Sequence, residues 1–487
     1  MKDLDRAPRA ISAPEFMAPV CAPEHRRALL WAAILASSMG FIDSSVTAIA
    51  MSAIRLDLGA SLEAAQWVGS AYLLALSALI LTGGALGDRF GTARMFGLGI
   101  LLFTLSSLAC AAAPSIATLI AARGAQGMAA ALMVPGSMAL IGRAYPREQR
   151  GAAIGLWAAA SIATTAGGPI LGGLALTLEP SFGWRLIFAL NLPLGAAALW
   201  LLWRYSYADH GKTGVPIDFA GAALASIGLG LLAYGLSTSS NLTLPALIAG
   251  AVVFASFLIW EWRAKSPMVQ LRIFRSKAFS SVNLTTFLLY FAVTGISFYL
   301  PMTALSAWGV TPIEVTAAFL PVSVMIALLS APVGRLADRI GAAPLMAVGS
   351  VVVAMAQTGL ALTAPLAAFW AACVPLMWLS GFGMALVVAP LTAAVMAAAS
   401  DAEQGAASGI NNAVARAASL CAVALMGRLA AAGYGGKGAE LPGFGVTAQS
   451  AAHVAATAIG FGHIAFLAAA ASMAAALVAF VSWRRPS

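Results

Sequence analysis

The chain has 487 residues, 61% apolar and 9% charged, with 27 Lys and Arg against 18 Asp and Glu and a net charge of +9. A soluble domain carries roughly a quarter charged residues, so soluble, disordered and collagen-like classes are excluded in spite of 47 Gly and 23 Pro. Unbroken apolar runs, where an outer-membrane barrel would show alternating strands of about ten residues, leave an all-α polytopic membrane protein.

Residues 1–27 are polar and contain proline, and read as a disordered cytoplasmic lead. The apolar run that follows is too long for a cleaved signal peptide. A membrane-crossing helix needs roughly 20 apolar residues, and fourteen runs qualify. They fall at about 28–51, 65–86, 94–113, 116–140, 151–176, 185–203, 217–236, 244–262, 281–304, 313–335, 343–363, 366–396, 405–432 and 456–482. Connections as short as Pro114-Ser115 and Ala364-Pro365 force neighbouring spans to run antiparallel.

Cations orient the spans, because cytoplasmic loops collect Lys and Arg. With the N-terminus inside, 21 of the 27 cations fall in inner segments. The outer loops hold Arg55, Arg185 and Lys437, while Arg123, Arg416 and Arg428 lie within spans. Both termini are then cytoplasmic, residues 483–487 form an inner tail, and the positive charge needs no nucleic-acid partner.

The second span ends Gly84-Ala85-Leu86-Gly87-Asp88-Arg89-Phe90-Gly91, and the tenth ends Gly334-Arg335-Leu336-Ala337-Asp338-Arg339-Ile340-Gly341, an offset of 250. Glu148-Gln149-Arg150-Gly151 is echoed by Glu403-Gln404-Gly405, and Pro135 by Pro390. Each match joins spans eight apart on one side of the membrane. The chain therefore reads as two pseudo-symmetric six-helix bundles, 28–203 and 281–482, with two inserted spans and their loops at 204–280. Parallel halves of this kind describe a transporter plan whose substrate site lies at their interface.

Polar residues inside the apolar runs are few. Asp43, in Phe41-Ile42-Asp43-Ser44-Ser45-Val46, is the carboxylate placed well within a span. Arg123 lies in Leu119-Ile120-Ala121-Ala122-Arg123-Gly124-Ala125-Gln126-Gly127, where an unpaired cation would cost several kcal/mol. The fifth span carries Gly155 and Gly167-Gly168-Pro169-Ile170-Leu171-Gly172-Gly173, with small residues for close packing and a proline that removes a backbone donor. Thr311-Pro312-Ile313-Glu314 reads as a capping box, so Glu314 is structural, and Asp218 and Glu261 read as solvated or capping groups.

These stretches resemble the signatures of the major facilitator superfamily, and in particular its fourteen-span drug:proton antiporters (EmrB/QacA type), over nearly everything after residue 28. The resemblance implies a cytoplasmic gate at Gly84, Asp88, Arg89, Gly91 and Arg94, repeated at Gly334, Asp338, Arg339 and Gly341. The sequence departs from that signature at Thr92 and Ala93, where basic residues are usual, and an ordinary charged turn is the alternative. It also implies proton coupling through Asp43 and Arg123, against a neutral Asp tying helices together and a snorkelling Arg. Gly155, Gly168, Pro169, Gly172 and Gly173 match the signature of antiporters, against a plain small-residue packing face.

The expected activity is export of amphipathic cationic or neutral compounds in exchange for protons across the bacterial inner membrane. Alternatives are a dedicated exporter of one metabolite and a proton-coupled importer or sensor. Tyr72, Trp157, Asn283, Tyr290, Trp378, Phe382 and Asn411 are candidate substrate-cavity residues. Four cysteines and four histidines lack metal or disulfide spacing, and no nucleotide loop or catalytic triad is present, so neither an enzyme nor a cofactor is expected. Expected partners are the small-molecule substrate, protons and membrane lipid, with the protein acting as a monomer and with room for a periplasmic adaptor protein.

Overall fold

The computed structural model describes residues 20–207, 211, 217–237, 240–399, 404–435, 443–448 and 450–484. Fifteen α-helices follow in order: α1 Arg26–Asp57, α2 Leu62–Phe90, α3 Thr92–Ala111, α4 Ile116–Ala144, α5 Arg147–Leu178, α6 Gly183–Ala189, α7 Asn191–Tyr205, α8 Phe219–Ser237, α9 Thr243–Arg263, α10 Lys277–Ala307, α11 Pro312–Ile340, α12 Ala342–Thr363, α13 Val374–Ala397, α14 Gln404–Gly435 and α15 Ala451–Arg484. Because α6 and α7 form one span, fourteen segments among the described residues are long and apolar enough to cross a membrane. Helix is the form in which such a segment satisfies its own backbone hydrogen bonds in lipid.

Local chemistry sets the boundaries. Ser61 Oγ accepts from Ala64 N at 3.1 Å to start α2, and Ser115 and Thr118 form a capping box on α4. Thr311 and Glu314 make the expected box on α11, with Glu314 Oε2 accepting from Thr311 N at 2.8 Å. Gly91 and Gly341 each close a helix with positive φ, 104° and 87°. In that region a side chain would be strained, so the two repeats share their turn geometry as well as their letters.

Several edges differ from the sequence reading. Of the lead expected to be disordered through residue 27, residues 1–19 lie outside the described residues, while Val20 and Cys21 are buried and α1 begins at Arg26. Val20 O accepts from Tyr207 N at 2.8 Å, so the segment is pinned against the end of α7. Arg55, expected in an outer loop, belongs to the last turn of α1 and is buried. Residues 483 and 484 still belong to α15, and 485–487, like Glu403 of the second echo, lie outside the described residues.

Fourteen crossings put Val20 and Arg484, the first and last described residues, on one face, here the terminal face, with the far face opposite. Near the far face a single core spans both halves, joining Ile49 and Met51 of α1 to Phe298 and Tyr299 of α10 and to Ala422 and Met426 of α14. Toward the terminal face the core divides, one cluster around Phe96 and Phe103, others around Met346 and Leu391 and around Phe279 and Ile410. The halves thus form a wedge closed at the far face. At its closed edge Gly173 of α5 lies against the backbone of Pro312 and Ile313 of α11, whereas Cβ atoms on Gly151, Gly155 and Gly334 would meet nothing within 4 Å. On the other side α2 and α14 stay together, with the inserted α8 packed across both.

Within the first half the tightest approach is between α2 and α4. A Cβ on Gly127 would fall against the backbone of Tyr72, and one on Gly83 against that of Ala131, while Gly124 faces open space. Gly127→Ala is therefore expected to cost about 1–3 kcal/mol through overpacking, and Gly124→Ala to be neutral or slightly stabilising. Thermal unfolding in detergent, followed by size-exclusion chromatography, checks the contrast.

Candidate functional site

A carboxylate, a guanidinium and a carboxamide are enclosed together in the first half. Asp43 is 1% exposed and Arg123 2% exposed. Arg123 Nη1 pairs with Asp43 Oδ2 and also donates to Gln126 Oε1. Gln126 returns its amide to Asp43 Oδ1 at 3.1 Å and donates to Ser107 Oγ at 2.8 Å. Asn191 Nδ2 donates to the same hydroxyl at 3.1 Å. Arg123 Nε donates to Val68 O at 3.1 Å, and the guanidinium lies 4.5 Å from the Tyr72 ring centroid and 5.6 Å from that of Phe188.

Each member arrives by a traceable local cause. Arg123 and Gln126 are three residues apart on α4, a spacing that brings side chains to one helix face. Asn191 faces inward because the span breaks between α6 and α7, two residues before Pro193, whose missing N–H cannot continue the ladder. The cluster thus ties α1, α2, α3, α4 and α7 together. Burying two charges costs several kcal/mol each unless attraction and hydrogen bonds offset it, and here both carboxylate oxygens have donors. Neutralising Asp43 would remove the principal partner of Arg123 while leaving it Gln126 Oε1, Val68 O and two aromatic faces.

The glycine-proline stretch on α5 bears on this cluster. Gly168 sits against Ile42, Ser45 and Val46 of α1, and Gly172 against Val46. These residues bracket Asp43. Gly173, on the opposite side of α5, meets the second half at α11. One short segment therefore touches both the wall around Asp43 and the closed edge between the halves. Gly155 has open space beside it, and Pro169 lies within the helix.

At the terminal face, Asp88 and Arg89 are exposed at the end of α2, as are Asp338 and Arg339 at the end of α11. Gly84 lies beside Pro135 of α4, while Arg94 is exposed near the start of α3. Thr92, where the signature usually has a basic residue, is buried and accepts from Arg143 Nη1 at 3.1 Å, linking the turn to α4.

Of the seven proposed cavity residues, Tyr72 and Asn283 are enclosed at 3% exposure each and line no open surface in this conformation. Tyr72 instead forms the floor under Arg123. Asn411 donates to Thr286 Oγ1 at 2.7 Å and to Asn283 Oδ1 at 3.2 Å, joining α14 to α10. Trp157 donates to Ser37 Oγ at 3.0 Å. Tyr290, Trp378 and Phe382 are exposed.

Sequence reading passed over several groups. Gln126, Ser107 and Asn191 complete the Asp43 cluster; the signal for Gln126 was its spacing from Arg123. Glu261, read as a solvated or capping group, is 2% exposed, because its end of α9 is covered by α8 and by the following linker, where Val269 N donates to its Oε2 at 2.8 Å. His453 is buried beside Tyr434, 2.6 Å from its hydroxyl. Tyr434 in turn accepts from Gly443 N, and the carbonyl of neighbouring Phe444 accepts from Arg55 Nη1, a contact between the halves at the far face.

A family model described as Major Facilitator Superfamily matches residues 33–424, with a further match over 282–487. The Multidrug resistance protein Stp of Mycobacterium tuberculosis is 34% identical over 412 residues, 82% of this chain and 75% of that protein. A Methylenomycin A resistance protein of Bacillus subtilis is 33% identical over 82% of this chain and 87% of its own length. The Tetracenomycin C resistance and export protein of Streptomyces glaucescens is 32% identical over 83% and 77%. Among solved structures, an inward-facing, unoccupied bacterial homolog of the human lysosomal transporter Spinster superposes with a TM-score of 0.67 at 16% identity, over 95% of this chain and 99% of that one.

Removing one member of a buried ion pair leaves the other charge without compensation. Arg123→Leu is therefore expected to cost about 3–5 kcal/mol, and Asp43→Asn less, because an amide still accepts one hydrogen bond from the guanidinium. Heating curves of the purified variants check the order; equal losses would contradict it.

Proposed function

The chain belongs to the major facilitator superfamily and is a membrane transporter related to drug-resistance exporters, and from that premise we propose that it exports amphipathic organic compounds from the cytoplasm in exchange for protons. In this reading the terminal face is cytoplasmic and the membrane is the bacterial inner membrane. The wedge is then the inward-open state, and outward opening requires the far-face contacts at Gly173 and Arg55 to part.

The observation that carries the reading is the enclosed Asp43–Arg123–Gln126 cluster beside the α5 glycines. An ionised Asp43 is held by Arg123. A proton arriving from outside cancels its charge and loosens α1 from α4 at the level where Gly168 and Gly172 let α5 slide. Rocking of α5 against α11 then exchanges the closed edge from one face to the other. Arg123 takes the carboxylate back as its partner when the proton leaves on the cytoplasmic side. The Asp88 and Asp338 turns close that side when the halves meet there.

A dedicated exporter is the second reading. It draws support from relatives whose names specify one antibiotic each, methylenomycin A and tetracenomycin C. Both readings share the mechanism and differ in breadth.

Asp43→Asn is expected to lower proton-driven efflux from proteoliposomes by about 100-fold or more, the range in which proton-transfer groups act, while substrate–substrate exchange continues. A panel of acidic, neutral and cationic dyes serves as probe. Undiminished proton-driven efflux of any of them by the variant would refute the coupling role.

A further inference from the structure

A second embedded arginine lies outside the Asp43 cluster. Arg416 is in α14, twelve residues after Gln404 and nineteen before Gly435, so it sits near the middle of the span at 1.5 Å per residue. It follows Gly409 by seven residues and precedes Gly427 by eleven, spacings of about two and three helical turns. Those glycines face α2: a Cβ on Gly409 would meet Leu81, and one on Gly427 would meet Gln66. Arg416 therefore points across the seam between the halves toward the middle of α2.

No carboxylate among the described residues pairs with Arg416. Its Nε is buried without a hydrogen-bond partner, while the residue as a whole is only half-buried. Arg123 differs in every respect, being enclosed and answered by Asp43. Arg428 lies nearer the far face and is exposed. An unpaired cation at mid-span costs several kcal/mol unless it faces water or a counter-charge, and a guanidinium presents a planar fork matched to carboxylate and phosphate oxygens.

We infer that Arg416 is the substrate-recognition cation, and that the site takes amphipathic organic acids whose carboxylate docks on its half-open guanidinium at the seam between α14 and α2. This inference rests on the transport reading above and replaces the expected preference for cationic cargo. Both oxygens of Asp43 are already occupied and enclosed, so a cationic drug finds no free anion there. Seen from the cleft, the paired Asp43 and Arg123 cancel and Arg416 leaves one net positive charge.

The test uses purified full-length protein in proteoliposomes with three probes on one ring system: 2-naphthoate, 2-naphthamide and a naphthylmethyl-trimethylammonium ion. The carboxylate is expected to be bound and exported roughly tenfold better than the amide, the range of a charge-assisted hydrogen-bonded pair, with the ammonium ion weakest. Arg416→Gln should bring carboxylate and amide level, and Arg416→Lys should restore part of the preference, with both variants checked as monomeric by size-exclusion chromatography. A preference for the ammonium ion in wild type, or an unchanged carboxylate-to-amide ratio in Arg416→Gln, overturns the assignment. The two readings fail separately. Proton-driven export of the amide or ammonium without any arginine-dependent preference sinks only the recognition role, whereas no probe moving under a proton gradient sinks transport itself.

Discussion

An ionised carboxylate cannot lie in an apolar bundle without a compensating cation, and the arrangement of the first half follows from that constraint. Asp43 needs Arg123, and Arg123 reaches it from α4 only because Gly127 lets α4 approach the backbone of α2. The guanidinium then lies over Tyr72 and bonds the carbonyl of Val68, which fixes α2 relative to both partners. Gln126 uses its two ends differently, oxygen toward the cation and nitrogen toward the anion. Through Ser107 and Asn191 the same chain of donors reaches α3 and α7. One ion pair thereby sets the positions of most of a bundle whose side chains otherwise offer little directional preference.

The two halves share a backbone plan and differ in what they do with it. Gly91 and Gly341 turn the chain in the same way after the same aspartate-arginine pair, and Pro135 and Pro390 lie inside corresponding helices. The polar contents of the spans are not repeated. Where the first half encloses a salt bridge, the second joins α10 and α14 through Asn411, Asn283 and Thr286, all uncharged. In the proposed exchange, proton binding would then act on one side of the wedge only, with the second half responding as a body. The route between them is α5, whose Gly168 and Gly172 touch α1 around Asp43 and whose Gly173 touches α11.

The span count and the repeat were legible because they rest on length and identity, which a single sequence carries in full. Asp43 and Arg123 stood out for the same reason that they matter: charge is rare within these spans. Their partners were harder to see. A serine or asparagine in an apolar run, such as Ser107 or Asn191, is equally at home bonding its own helix, as Thr104 and Ser106 do with Ile100 and Leu102. Only the tertiary position distinguishes the two cases. Facing was also invisible, since lipid-exposed and buried surfaces are both apolar and give helices little periodicity. Hence Tyr72 was placed on the cavity wall when it lies beneath Arg123, and Glu261 was read as solvated or capping with no sign of the cover that α8 and the following linker give it.

Charge within the membrane has two different meanings in this protein, and burial tells them apart. Asp43 and Arg123 are enclosed and mutually answered, so their net field in the cleft is small and a change of one protonation state shifts it by a whole charge. Arg416 is half-open and unanswered, so its field is constant and available to whatever enters between α2 and α14. If the proton lands on Asp43, the first half becomes more positive by one unit, because Arg123 then loses its counter-charge while the charge of Arg416 is unchanged. An acidic substrate held at Arg416 would be bound more tightly by that change, and a cationic one expelled. Coupling to an acid's export would therefore need the protonated Asp43 to accompany outward release in a geometry that separates Arg416 from α2. That separation would require α14 to move away from α2, two helices that pack together here with α8 across both.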